Sequence, residues 1–183
     1  MKPLPDTEDP IVLRTDFTDD QAWSRLCALI SSPIGRDGFQ ANVAFVDDPS
    51  FADMTPEALC ASISGEQRHS FIVIADHRTF SESEQSLSVM DLIDEPGRTF
   101  RALPTRIQSI ENNLSIANMG FEELANAAEC DGIFRGFPGE KAEDYSVTTP
   151  PRVLARKTPA RPKTLLGRAL ISIYKLLRGK PKA

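Results

Sequence analysis

Apolar residues between positions 11 and 137 fall into short β-forming runs and helically spaced stripes, and the two kinds alternate along the chain. Residues 11–16, IVLRTD, predict a short strand. Thr18 to Gln21, TDDQ, reads as a capping box in which Thr18 takes the amide of Gln21. Asp19 and Asp20 then fall in the first turn, where the helix dipole favours negative charge. Ala22, Trp23, Leu26, Leu29 and Ile30 follow at helical spacing. Pro33, Gly35 and Gly38 mark a loop, and 41–48, ANVAFVDD, a second strand. Thr55 and Pro56 have the chemistry of an N-cap and a first helical position, opening a short helix through Ile63.

Residues 70–76, SFIVIAD, are the most uniformly apolar run, which suits a strand buried on both faces at the centre of a sheet. Residues 87–93 and 98–103 flank Asp94-Glu95-Pro96-Gly97 and predict an antiparallel hairpin. Residues 77–86 are too few for a parallel crossover, so the hairpin should enter antiparallel to the central strand. A second capping box, TRIQ at 105–108, precedes a helix carrying Ile107, Ile110 and Leu114. Asn112 or Asn113 should close that helix and Asn118 cap the next, because asparagine favours helix ends. The competing reading makes Asn112, Asn113 and Asn118 an amide cluster for a ligand. Residues 129–137 read as a last edge strand. The expected fold is a single α/β domain with a mixed sheet, parallel in its N-terminal part and antiparallel at 87–103, flanked by helices.

Beyond residue 137 the pattern changes. Residues 138–163 hold five prolines and little apolar periodicity, the composition of a linker. In 164–178, Leu166, Leu170, Ile173 and Leu177 share a half-circle at 100° per residue, while Arg168, Lys175 and Arg178 take the other. This predicts a cationic amphipathic helix, with a disordered segment at 1–10 completing the layout. Charge sharpens the division: residues 1–145 hold all 26 acidic residues, and 146–183 hold ten Lys or Arg and no acid. Between Pro3 and Glu140 every cation is arginine, so lysine Schiff-base chemistry and a P-loop are excluded from the body.

Cys27, Cys60 and Cys130 are widely spaced and lack CxxC pairing, and the N-terminus has no apolar run, so reduced thiols and a cytoplasmic location are expected. His69 and His77 bracket the central strand roughly 26 Å apart, too far to share a metal. The ends of the first three strands carry Asp16, Asp19 and Asp20, then Asp47 and Asp48, then Asp76 and His77. If those strands are parallel, the carboxylates converge where α/β sheets bind ligands. One reading is an Asp-rich rim holding Mg²⁺ for phosphoryl transfer, with Asp16, Asp20, Asp76 and His77 as its chemistry. The other is that these aspartates cap helices and turns.

The leading expectation is a non-catalytic binding or regulatory module without a metal or cofactor. Its acidic body meets a basic protein partner, and its basic tail docks on a partner, on the chain's own acidic domain or on the inner membrane surface. Arg98 and Arg101 are a third candidate surface, for anions, and nucleic acid is disfavoured by the acidity. The blocks VLRTDFTDDQAW, AFVDDPSF, RHSFIVIADHRTF, DLIDEPGRTFRALP, IENNLSIANMGFEEL and DGIFRGF resemble, in order, a bacterial family of small proteins that carries only a domain-of-unknown-function label. The resemblance spans about residues 11–137, implies that they form one unit, and brings no activity with it.

Overall fold

The computed structural model describes residues 3–35, 37–63, 68–139 and 153–154. Along the chain run β1 (Ile11–Arg14), α1 (Asp20–Ile30), β2 (Ala44–Val46), α2 (Pro56–Ser62), β3 (Phe71–Ala75), α3 (His77–Ser81), β4 (Leu87–Asp91), β5 (Thr99–Ala102), α4 (Ile107–Ser115), α5 (Phe121–Asn126), β6 (Ile133–Phe134) and β7 (Val153–Leu154). The sheet order is β6-β5-β4-β3-β1-β2-β7, so β3 is central as its apolar run predicts. β1 pairs in parallel with both β2 and β3, β3 with β4 and β4 with β5 are antiparallel, and β5 with β6 is parallel again. The sheet is mixed, and the domain is α/β.

Strand alternation divides the core between the two faces of the sheet. Val12, Phe45, Phe71, Val73, Val89 and Phe100 meet Trp23, Leu26 and Ile30 of α1, Ile107, Ile110 and Leu114 of α4, and Phe121 and Leu124 of α5. Ile11, Leu13, Val46, Ile72, Ile74 and Met90 meet Phe51 and Leu59 on the opposite side. All five residues of β3 are buried because both faces are covered. Gly97 closes the β4–β5 hairpin at φ +93°, a backbone that a side chain would strain, and a Cβ there would sit 3.4 Å from Cys60 Sγ.

Several helix ends differ from the expected ones. α1 is capped by Asp19, whose carboxylate accepts from the amides of Gln21 and Ala22. The Thr18 amide and hydroxyl turn instead to Asp16, at 2.7 and 2.6 Å, so the loop folds before the helix begins. The second expected box does not form. Pro104–Arg106 is a 3-10 turn, and α4 starts at Ile107 without a side-chain cap. The next helix is capped at Gly120, not Asn118, with the Gly120 amide donating to Glu123 at 2.8 Å. Thr55 and Pro56 do open α2 as expected.

The N-terminal segment is not loose where it is described. Leu4 packs on the second core cluster, and His69 Nε2 donates to the Thr7 carbonyl at 3.0 Å. Within the stretch expected as linker, β7 pairs in parallel with β2, Phe45 facing Val153 and Val46 facing Leu154. The expected amphipathic helix at 164–178 lies outside the described residues, with Leu166, Arg168, Leu170, Ile173, Lys175, Leu177 and Arg178. Among the described residues no helix is long and apolar enough to cross a membrane.

Candidate functional site

Because β1, β2 and β3 are parallel, the segments that follow them emerge on one rim, as the strand pattern implied. At its centre is a residue that the sequence reading passed over. Arg14, the last residue of β1, has a side chain 0% exposed. Its Nε donates to the Asp16 carbonyl at 2.7 Å, and Nη1 reaches Asp20 at 2.8 Å and Asp47 at 3.3 Å. Its guanidinium lies 4.5 Å from the Phe17 ring centroid and 5.7 Å from that of Trp23, a cation–π arrangement. Among the described residues, Arg14 Nη2 and Trp23 Nε1 are buried donors without a hydrogen-bond partner.

The second rim element joins β1 to α3. The Asp16 side chain is only 6% exposed, and its Oδ2 accepts from Nδ1 of His77, itself 83% exposed, at 2.9 Å. Burial pushes the Asp16 carboxyl up, but hydrogen bonds from the Thr18 hydroxyl and amide and from His77 outweigh it, leaving the group below its ordinary value. A buried carboxylate thus fixes the ring of an exposed histidine and turns Nε2 outward.

The third element crosses the sheet. Asp76 caps α3 by accepting from the Thr79 amide at 3.0 Å, and the Thr79 hydroxyl accepts from the Asp76 amide at 3.2 Å. Arg101 of β5 clamps both Asp76 oxygens at 2.9 and 3.0 Å and donates to Ser86 Oγ at 2.9 Å. Burial raises the Asp76 carboxyl, while Arg101 and Thr79 more than reverse this and hold it below its usual value.

These contacts sort the expected site residues. Arg14 brings Asp20 and Asp47 together, Asp16 joins His77, and Asp19 and Asp48 cap local turns, Asp48 through the Ser50 amide at 3.0 Å. Arg101 belongs to this rim, not to a separate anion surface with Arg98. Arg98 instead pairs with Glu95 and reaches Asn126 at 3.4 Å. The amides of the expected Asn cluster partly serve one another: Asn118 Nδ2 donates to Asn113 Oδ1 at 2.7 Å, and Asn113 Nδ2 to the Ser109 carbonyl at 2.8 Å. The Asn112 carbonyl accepts from the Ile116 amide at 3.3 Å, at the end of α4.

The rim does not fit a magnesium ion. Guanidinium groups occupy the positions a cation would take beside Asp20, Asp47 and Asp76, and no group of three His, Cys, Asp or Glu among the described residues could hold a metal. Two buried acids were also missed. Asp91 accepts from the amides of Ile93, Asp94 and Glu95, and Glu111 from the amide of Asn42 and the hydroxyl of Ser115. In sequence each is a polar residue interrupting an apolar pattern, as Arg14 is within IVLR.

The fold and rim define a small α/β domain whose strand-end carboxylates are neutralised largely from within. Residues 9–137 match the family model described as a domain of unknown function, DUF6924, and the chain belongs to that family. No curated protein and no solved structure matches it.

Proposed function

We propose that this protein is a non-catalytic binding module, in which the acidic body recognises a cationic protein partner and the basic C-terminal segment supplies a second docking element. The supporting observation is the internal commitment of the rim. Asp20 and Asp76, the carboxylates that a metal-dependent reaction needs, already hold Arg14 and Arg101. Acids exposed around them, Asp19 among them, contribute long-range attraction that speeds capture of a basic surface. The test uses a basic partner identified by crosslinking to the full chain, with affinity then measured at 50 and 500 mM salt as about a tenfold change in ionic strength. Asp19→Asn with Asp48→Asn should weaken binding in a graded, salt-sensitive way. Unchanged affinity in that variant, or indifference to salt, would remove the reading. Flotation of the full chain with vesicles of phosphatidylcholine and phosphatidylglycerol tests whether the tail docks on membrane.

A second reading rests on the Asp16–His77 pair, which has the arrangement of an oriented general base. An enzyme working there loses turnover with His77→Ala while its fold persists. A binder of cations keeps its affinity nearly unchanged.

A further inference from the structure

We propose that His77 is a phosphorylation site, its Nε2 taking a phosphoryl group from a donor with a labile P–N bond while the buried Asp16 holds the ring. The Asp16–His77 pair then works as a nucleophile with its orienting carboxylate, and needs neither a bound substrate nor a cationic partner.

The pair decides which ring nitrogen is reactive. Asp16, held below its ordinary value, is ionised at neutral pH, and an ionised carboxylate only accepts hydrogen bonds. His77 Nδ1 therefore carries the proton that it donates at 2.9 Å, and Nε2 of the neutral ring keeps its lone pair. Nε2 belongs to a side chain 83% exposed and has no hydrogen-bond partner among the described residues. His69 is the built-in contrast. In a part-buried contact its Nε2 donates to the Thr7 carbonyl at 3.0 Å, so the corresponding lone pair is missing. The surroundings of His77 also tolerate an incoming phosphoryl group. The preceding carboxylate, Asp76, is clamped on both oxygens by Arg101. The following residue, Arg78, adds a cation that pairs with Glu82 through Nε at 2.7 Å and stays 44% exposed.

The step balances with phosphoramidate as the donor. The Nε2 lone pair attacks phosphorus, the P–N bond breaks, and ammonia leaves with the bonding pair, its nitrogen being already protonated in the donor. The ring keeps its Nδ1 proton and becomes a phosphoimidazolium, whose positive charge faces the Asp16 carboxylate across the same hydrogen bond. Asp16 touches neither donor nor phosphorus, so it is a positioning residue that acts through His77. Because the group transferred is PO3⁻, the rim gains negative charge, which strengthens capture of a basic surface. That consequence rests on the binding-module reading, and the modification itself does not.

The test treats the full chain with potassium phosphoramidate at neutral pH and follows it by ³¹P NMR, with the modified peptide located by mass spectrometry. The expected product is acid-labile and alkali-stable, carries phosphorus on Nε2 of His77, and forms about tenfold faster than any product at His69. In urea the orientation is lost, so the two histidines should react alike and His77 at either nitrogen. Asp16→Asn presents an amide that donates to Nδ1 and moves the ring proton to Nε2. It should slow the reaction at His77 about tenfold and leave His69 unchanged. Equal rates at the two histidines of the native chain, phosphorus on Nδ1 of His77, or the same rate and position in urea overturns the proposal. So does a folded Asp16→Asn protein that reacts like wild type. The comparison of native with urea-unfolded wild type stands even if that variant does not fold. Failure of the binding-module reading leaves the result untouched, because the readout needs no partner.

Discussion

Replacing Arg14 with alanine tests the centre of the rim most directly. The guanidinium is fully buried, and Asp47, its partner at 3.3 Å, is only 14% exposed. Breaking a buried pair by removing one member destabilises by about 3–5 kcal/mol, because the remaining charge stays desolvated. Asp20 adds little, since its side chain is 68% exposed and such pairs contribute at most about 1 kcal/mol. Against this, Nη2, which has no hydrogen-bond partner among the described residues, penalises the wild type, and losing a buried unsatisfied donor returns about 1–3 kcal/mol. The expected net loss for Arg14→Ala is therefore about 2–3 kcal/mol. With a urea slope of roughly 2 kcal/mol per M, the midpoint falls by about 1–1.5 M. Trp23, the single tryptophan, lies beside the guanidinium and reports unfolding by fluorescence. Arg14→Met fills much of the volume without charge and should lose less, and adding Asp47→Asn should recover part of the deficit. A midpoint for Arg14→Ala within about 0.3 M of wild type, or no coupling between positions 14 and 47, would refute this account of the rim.

Acid should also loosen the rim. Asp16 and Asp76 are held below their ordinary value in the folded chain, so their stabilisation is present above about pH 4 and is lost as pH falls through the lowered values. Circular dichroism against pH should show this decline, smaller in Asp76→Asn than in wild type. Burial raises the Cys27 thiol far above its usual range, so iodoacetamide on the native protein should label exposed Cys130 and spare Cys27, read by peptide mass. Gly97→Ala forces a side chain onto a φ of +93° and against Cys60, and thermal melting should show a loss of about 1–2 kcal/mol.

Local chemistry determined which segments form elements and in what state. The apolar run at 70–76, the Pro-Gly turn at 94–97 and the Thr55-Pro56 pair were legible because an uninterrupted apolar run, turn backbone and helix entry are written in neighbouring residues. The short 77–86 connection likewise fixed the antiparallel entry of the hairpin. Caps were less legible. At Thr18 the neighbouring Asp19 takes the Gln21 amide while Thr18 turns to Asp16, and at Asn118 the side chain turns to Asn113 while Glu123 takes the Gly120 amide.

Only tertiary structure decided the character of the rim. The sequence placed aspartates at strand ends, but whether they face a metal, solvent or an arginine depends on side chains that arrive from other strands. Arg14 becomes the hub by lying between loops that follow different strands, and Arg101 finds Asp76 because two antiparallel steps turn β5 back to the same end as β3. Pairing of that kind is set by the order of strands in space. Order along the chain does not contain it, since desolvated charges can be satisfied by whichever partner the fold brings within reach.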